Sequence, residues 1–170
     1  QKPLRARVYF GMTAITLDRI DRKILHELMQ DTTLPVAQLA ERVGLSQTPC
    51  WKRVQKLEAA GVITGRVALV APEQIGLRLT VFVEIEAADH TSDWREAFAD
   101  LMSIYPEVVE VHRMAGEVDY LLKVVVPDMA AYDALYLDLT DQLPCRNVTS
   151  KFSMERMKAT TSLPIDTTTP

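Results

Sequence analysis

The stretch Leu39-Ala40-Glu41-Arg42-Val43-Gly44-Leu45-Ser46-Gln47-Thr48-Pro49-Cys50-Trp51-Lys52-Arg53 decides how the N-terminal part of the chain folds. Val36, Leu39, Ala40 and Val43 share one side of a short helix, Pro35 suits its first turn, and Gly44 ends it. Ser46 then stands where a following helix needs an N-cap, its hydroxyl able to accept from a first-turn N–H. Pro49 is tolerated in that first turn, and Cys50, Val54 and Leu57 supply the buried stripe before Gly61 stops the helix. Ala40 and Gly44 fall where two helices approach and the chain reverses within about three residues, the geometry of a helix-turn-helix. In that motif the last helix lies across the DNA major groove.

Upstream, Leu17, Ile20, Ile24, Leu25 and Leu28 recur at spacings of three and four, predicting a first helix that ends near Gln30 before the polar break Asp31-Thr32-Thr33. Downstream, Val62-Ile63 and Val67-Ala68-Leu69 flank Thr64-Gly65-Arg66 and predict a small hairpin, the wing of a winged-helix-like domain. Residues 12–70 form the expected DNA-binding domain and 71–78 the linker.

Beyond the linker the apolar period switches. Leu79, Val81, Val83, Ile85 and Ala87 alternate with polar neighbours as a strand; Trp94, Phe98, Leu101, Met102 and Tyr105 recur as a helix; Val109 and Val111 alternate with Glu110 and His112. Residues 120–126 form an apolar strand. Met129, Tyr132, Leu135, Tyr136, Leu139 and Leu143 make a second helix capped by Asp128, and a last strand runs from about Val148 to Lys158. The order βαββαβ predicts an α+β, ferredoxin-like domain over residues 79–165, two helices covering one face of a four-stranded antiparallel sheet. The other face needs a cover, and a second copy of the domain is the simplest one. Residues 1–11, before Met12, and 166–170 are expected to be disordered or foreign ends.

Composition bounds the function. Of the 170 residues 48% are hydrophobic and 25% charged, which excludes disorder as the main state. No apolar run approaches the roughly 18 to 20 residues of a membrane span. Two cysteines, Cys50 and Cys145, are too few for a disulfide framework, so a reducing cytoplasm is the expected compartment. The net charge of −4 conceals an asymmetry: residues 12–66 carry 8 basic against 6 acidic side chains, residues 67–170 carry 8 against 17. A polyanion would therefore meet only the first part.

The segments Leu17-Asp18-Arg19-Ile20-Asp21-Arg22-Lys23-Ile24-Leu25, Leu39 to Ser46, Thr48-Pro49-Cys50, Phe82-Val83-Glu84-Ile85, Gly116-Glu117-Val118-Asp119-Tyr120-Leu121-Leu122-Lys123 and Val126-Pro127-Asp128-Met129 resemble the leucine-responsive/asparagine (Lrp/AsnC) regulator family of prokaryotes. The likeness covers roughly residues 15–165. Within the family, Thr48 to Arg53, Arg113-Met114-Ala115-Gly116-Glu117 and Thr160 to Ile165 look most like the cysteine-responsive regulators of cysteine detoxification. The resemblance implies a transcription regulator with a sensing domain that dimerises and assembles further to tetramers or octamers. One departure stands out: family members commonly carry Leu-Pro-Gly-Val where this chain has Leu143-Pro144-Cys145-Arg146, which alters a loop near the assembly interface or effector site.

With Cys50, Val54 and Leu57 turned inward, the side chains left for DNA on the third helix are Gln47, Thr48, Trp51, Lys52, Gln55 and Lys56, with Arg53 at the border. Lys and Arg suit phosphates and guanine edges, Gln suits adenine, and Ser46 with the first-turn amides around Pro49 suits a phosphate. Trp51 either joins that face or covers the wing.

An amino-acid effector needs both of its charged poles satisfied. The segment Met114-Ala115-Gly116-Glu117-Val118-Asp119-Tyr120 offers carboxylates for the ammonium group and backbone amides for the carboxylate. By itself it reads equally as a hairpin turn with solvated acids. The resemblance places an effector at this loop between subunits, near Thr149, Ser150 and Lys151. His26, His90 and His112 show no metal spacing, and neither Asp18/Asp21 nor Glu84/Glu86 forms an acid–base couple: the first pair suits a helix start and the second a solvent face. No metal, cofactor or catalytic constellation is expected. The rival reading is an amino-acid-binding regulatory subunit or metabolic enzyme on the same βαββαβ fold.

Overall fold

The computed structural model describes residues 15–168 and divides them into two compact units, residues 69–157 and residues 15–68 together with 158–168. The expected ends at 1–11 and 169–170 lie outside the described residues.

The first unit holds three helices, α1 (Arg19–Gln30), α2 (Val36–Val43) and α3 (Gln47–Ala59). Ile24, Leu25 and Leu28 of α1, Leu39, Ala40 and Val43 of α2, and Cys50, Val54 and Leu57 of α3 form one core, the residues that the spacing singled out. Val36 is the exception, left on the surface at the start of α2. Gly44 adopts φ +76° at the end of α2, and its N–H reaches back to the Ala40 and Glu41 carbonyls. That left-handed backbone is what requires glycine there. Space does not require it, since a Cβ on Gly44 would meet nothing within 4 Å. Ser46 occupies the N-cap of α3 without making the expected side-chain hydrogen bond. The expected wing is absent: residues 64–71 form no strand, and Val67, Leu69 and Val70 stand exposed.

The second unit begins with a short 3-10 turn, Pro72–Ile75, closed by Gly76 at φ +86°. Then follow β1 (Leu79–Ala87), α4 (Ser92–Ile104), β2 (Val108–Arg113), β3 (Tyr120–Val126), α5 (Met129–Gln142) and β4 (Cys145–Phe152). The sheet order is β2-β3-β1-β4, antiparallel throughout. Thr91 and Asp128 cap α4 and α5 by accepting from the Trp94 and Ala131 N–H groups. Val81, Val83, Ile85 and Ala87 of β1 and Tyr120, Leu122, Val124 and Val126 of β3 bury against Trp94, Phe98 and Leu101 of α4 and Tyr132, Leu135 and Leu139 of α5. The ring of Phe98 sits 4.3 Å from that of Tyr120.

The opposite sheet face carries ion pairs between neighbouring strands, Lys123 with Glu110 at 2.6 Å and Lys151 with Glu84 at 2.5 Å. It also carries Phe82, 36% exposed.

Two expectations for this unit change. Val109 and Val111 are about half exposed because β2 is an edge strand interrupted by a register shift. The last strand starts earlier and stops earlier than its apolar period suggested, at Cys145–Phe152. From Lys158 the chain returns to the helical unit, so the C-terminal residues do not complete the sheet domain. Ile165 packs beside that unit's core, the Thr161 hydroxyl donates to the Met29 carbonyl, and Arg22 donates to the Asp166 carbonyl. The segment 166–168, expected to be unstructured, is thus held against α1.

Candidate functional site

Burial of Cys50, Val54 and Leu57 fixes which side of α3 faces outward. Gln47, Thr48, Pro49, Trp51, Lys52, Gln55 and Lys56 are all exposed, as is Ser46 before them. Trp51 keeps half of its surface open, so it joins the outward face and does not cover the core. Because the Ser46 side chain leaves the first-turn amides uncapped, these N–H groups remain available to a phosphate. Burial pushes the Cys50 thiol up, leaving it a neutral core group.

Arg53 does not share this freedom. Its Nη1 donates to Asp18 at 2.6 Å and to Asp21 at 2.7 Å, and only a third of its side chain is exposed. Hydrogen bonding from the Asp21 N–H, followed by Arg53, holds the Asp18 carboxyl below its usual range, while Asp18 and then Asp21 raise Arg53. Lys56 lies 3.9 Å from the buried Asp21, and Gln55 donates to Glu58. The sequence presented Asp18 and Asp21 as a helix-start pair. They do form a capping box on α1. Their second role, gripping Arg53, joins residues 32 and 35 positions apart and leaves no periodic signal.

The loop between β2 and β3 is a tight connection in which the Met114 N–H donates to the Asp119 carbonyl at 2.8 Å. Gly116 sits at φ +143°, open to solvent, with Met114, Ala115 and Glu117 exposed beside it. These residues present a small, mixed surface of backbone amides and the Glu117 carboxylate, which has no partner among the described residues. Asp119 is occupied, since its Oδ2 accepts from the Ala87 N–H at 2.8 Å and its Oδ1 lies 3.7 Å from His90. Tyr120 points into the core against Phe98 and Trp94.

Of the β4 residues expected near this loop, Ser150 faces the helices and shares a short hydrogen bond with the Tyr132 hydroxyl. Thr149 and Lys151 lie on the open sheet face, opposite Glu84 and Phe82 respectively. The chain thus brings Met114, Ala115, Gly116 and Glu117 together, and separates Tyr120 and Ser150 from Thr149 and Lys151 by the thickness of the sheet.

Cys145 opens β4 opposite Ala87, just past a register shift, and is partly buried, which pushes its thiol up. It borders a depression of about 280 Å3 beside Tyr136, Thr140 and Arg146. Trp94 fixes the preceding turn by donating to the Pro144 carbonyl at 2.8 Å. No group of three His, Cys, Asp or Glu among the described residues is placed to hold a metal ion, and no described helix is long and apolar enough to cross a membrane.

Two family descriptions match this geometry: an AsnC-type helix-turn-helix domain over residues 17–58 and an Lrp/AsnC ligand binding domain over residues 80–163. The chain belongs to the Lrp/AsnC family. Like its relatives, this Lrp/AsnC protein is a DNA-binding transcription regulator built from a helix-turn-helix and an amino-acid-binding type of α+β domain. It is 51% identical over 151 residues to the DNA-binding transcriptional activator DecR of Escherichia coli K12, covering 88% of this chain and 99% of DecR. An AsnC family regulator from Agrobacterium tumefaciens superposes with a TM-score of 0.83 at 54% identity, covering 87% of this chain and 97% of the other. The regulator NMB0573 of Neisseria meningitidis, solved as an L-Met complex, gives the same TM-score at 38% identity over 88% and 97%.

Proposed function

We propose that this Lrp/AsnC regulator reads DNA with the outward face of α3 and changes its DNA affinity or assembly when a small amino acid, cysteine foremost, binds at the β2–β3 loop between subunits. The observation that carries the DNA half is the outward set Gln47, Thr48, Trp51, Lys52 and Gln55, held on one side by the buried Cys50, Val54 and Leu57. Ser46, Pro49 and the first-turn amides seat a phosphate, and Lys56 adds charge at the edge.

For the effector, Gly116 and its exposed neighbours supply amides for a carboxylate and Glu117 supplies a partner for an ammonium group. Thr149 and Lys151, on the open face of the sheet, complete the site only if a second subunit brings its own loop to them. Cysteine is favoured by the likeness of Arg113 to Glu117 and Thr160 to Ile165 to the cysteine-responsive subgroup. Methionine is the competitor, since the Neisseria relative was solved with it.

Homodimers that assemble further are supported by two features of the single chain: a sheet with one face uncovered, and the exposed run Val67, Leu69 and Val70, which pairs with no strand among the described residues. The protein works in the cytoplasm on double-stranded DNA, without a cofactor and without catalysis. Because operator spacing is set by subunit arrangement, ligand and DNA affinities are linked reciprocally.

The test is thermal unfolding of the pure full chain with each common amino acid, followed by gel-shift titration against promoter DNA and random DNA at one salt concentration. A midpoint rise with cysteine and tighter binding to promoter than to random DNA are expected. A rise with methionine alone replaces the effector, no rise at all removes the sensing role, and equal affinity for both DNAs removes sequence-specific reading by α3.

A further inference from the structure

We propose that Arg53, although it sits on the DNA-facing helix among lysine and glutamine, is a positioning residue that sets the roll of α3, and that the buried Asp21 is thereby a determinant of DNA specificity without touching DNA. The inference rests on α3 being the helix that faces DNA.

Arg53 is bonded through one nitrogen to two carboxylates of α1, Asp18 at 2.6 Å and Asp21 at 2.7 Å. Asp21 is 1% exposed, the one buried charged side chain among the described residues. Its own N–H donates to Asp18 Oδ1 at 2.8 Å, so the cap that starts α1 is also the anion pair that receives the arginine. An ionised carboxylate this deep is tolerated only while its charge is matched.

Rolling α3 about its axis to release Arg53 toward a phosphate would break two charge-assisted bonds and leave the buried Asp21 without a hydrogen-bonded cation, Lys56 of the same helix being 3.9 Å away. The packing of Cys50, Val54 and Leu57 fixes which side of α3 faces inward, and the bonds of Arg53 add a constraint on its angle. The double hydrogen bond is directional. It therefore selects the angle at which Thr48, Trp51, Lys52 and Gln55 emerge together, and base readout depends on that angle.

The experiment separates holding from touching. The probes are the tightest duplex that the unmodified full chain selects from a random pool, and a scrambled duplex of equal length. Dissociation constants for Arg53→Met, Arg53→Lys and Asp21→Asn are measured on both across about 50 to 300 mM KCl. All three variants are expected to lose about tenfold of the ratio between selected and scrambled DNA, with the slope of log affinity on log salt unchanged. Arg53→Lys, which keeps the charge but replaces the planar guanidinium and its fixed N–H directions with a freely rotating ammonium on a different stem, is expected to fail with the others.

A slope reduced by about one phosphate contact in Arg53→Met, with equal losses on both duplexes, overturns the proposal, as does an unchanged ratio in Asp21→Asn. Where a single variant unfolds, Asp21→Asn/Arg53→Gln leaves a neutral hydrogen-bonded pair. A ratio in it better than in whichever of the single variants still folds is expected, and no recovery overturns the proposal. Lys52→Ala serves as the control for the underlying reading: if it leaves affinity and slope untouched, α3 does not face DNA, whatever Arg53 does.

Discussion

The Thr161 hydroxyl donates a hydrogen bond to the main-chain carbonyl of Met29, 3.0 Å away and 132 residues earlier. Met29 lies in the last turn of α1, where a carbonyl has no partner within the helix. The Leu163 N–H lies 3.4 Å from the Met29 sulfur, and Ile165 packs beside the helical core with Leu17 and Ile20. The C-terminal residues thus act as an added cap and an added apolar layer for α1.

Removing part of that layer should destabilise the helical unit selectively. Ile165→Ala is expected to cost about 1–2 kcal/mol, less than for a fully buried isoleucine because Ile165 is only partly covered, and Thr161→Val about 1 kcal/mol. The two tryptophans report separately, Trp51 from the helical unit and Trp94 from the sheet unit. In urea titrations of single-tryptophan chains, the Trp51 transition should move and the Trp94 transition should stay; equal movement of both would contradict the assignment.

Lys52 is an exposed cation of α3 with no ion pair among the described residues. Lys52→Ala should therefore leave the melting temperature within about a degree, since surface changes of this kind are within about 0.5 kcal/mol. It should weaken binding to selected and scrambled DNA alike and lower the salt slope by about 0.9. An unchanged slope in filter-binding titrations would place Lys52 off the phosphate backbone.

Asp119 separates two roles that its position in the loop leaves open. Its carboxylate accepts from the Ala87 N–H, where β1 meets β4 across a register shift. Asp119→Ala is expected to cost about 1–3 kcal/mol by leaving that amide without its acceptor. Glu117→Gln, on an exposed side chain, should leave stability unchanged and weaken amino-acid binding by calorimetry. Loss of effector binding in Asp119→Asn at full stability would instead make Asp119 a ligand group.

Acid should loosen the helical unit through Asp18 in a defined window. Its folded-state carboxyl is held low by the Asp21 N–H and then by Arg53, so its contribution is complete above the ordinary value of 3.8 and disappears as pH falls through the lower folded value. Stability should be flat in this respect from about pH 8 to 5 and fall below about pH 4. Asp18→Asn should flatten part of that fall in Trp51-monitored unfolding. The effect is small because half of the side chain is in water.

What the sequence determined by itself was whatever depends on neighbours three, four or two residues away. The spacing of Ile24, Leu25 and Leu28, of Leu39 and Val43, and of Cys50, Val54 and Leu57 specifies three helices and their buried sides, and Gly44 specifies the turn between the second and third. Alternation from Leu79 to Ala87 specifies a strand with one buried face. With the quoted motifs, that was enough to reach the fold class, the family and the outward face of α3.

Tertiary structure alone decided who partners whom across long separations. It paired Arg53, expected at the border of the DNA face, with Asp18 and Asp21, sent Tyr120 into the core against Phe98, and set the Ser150 hydroxyl against that of Tyr132. It also left residues 64–71 without a hairpin, kept Val109 and Val111 exposed on an edge strand, and returned the chain from Lys158 to α1. Periodicity states which side of an element is apolar, a local property of backbone geometry. Which charge meets which carboxylate, and which strand lies at the edge, follow from the packing of whole elements, and no repeat along the chain encodes that.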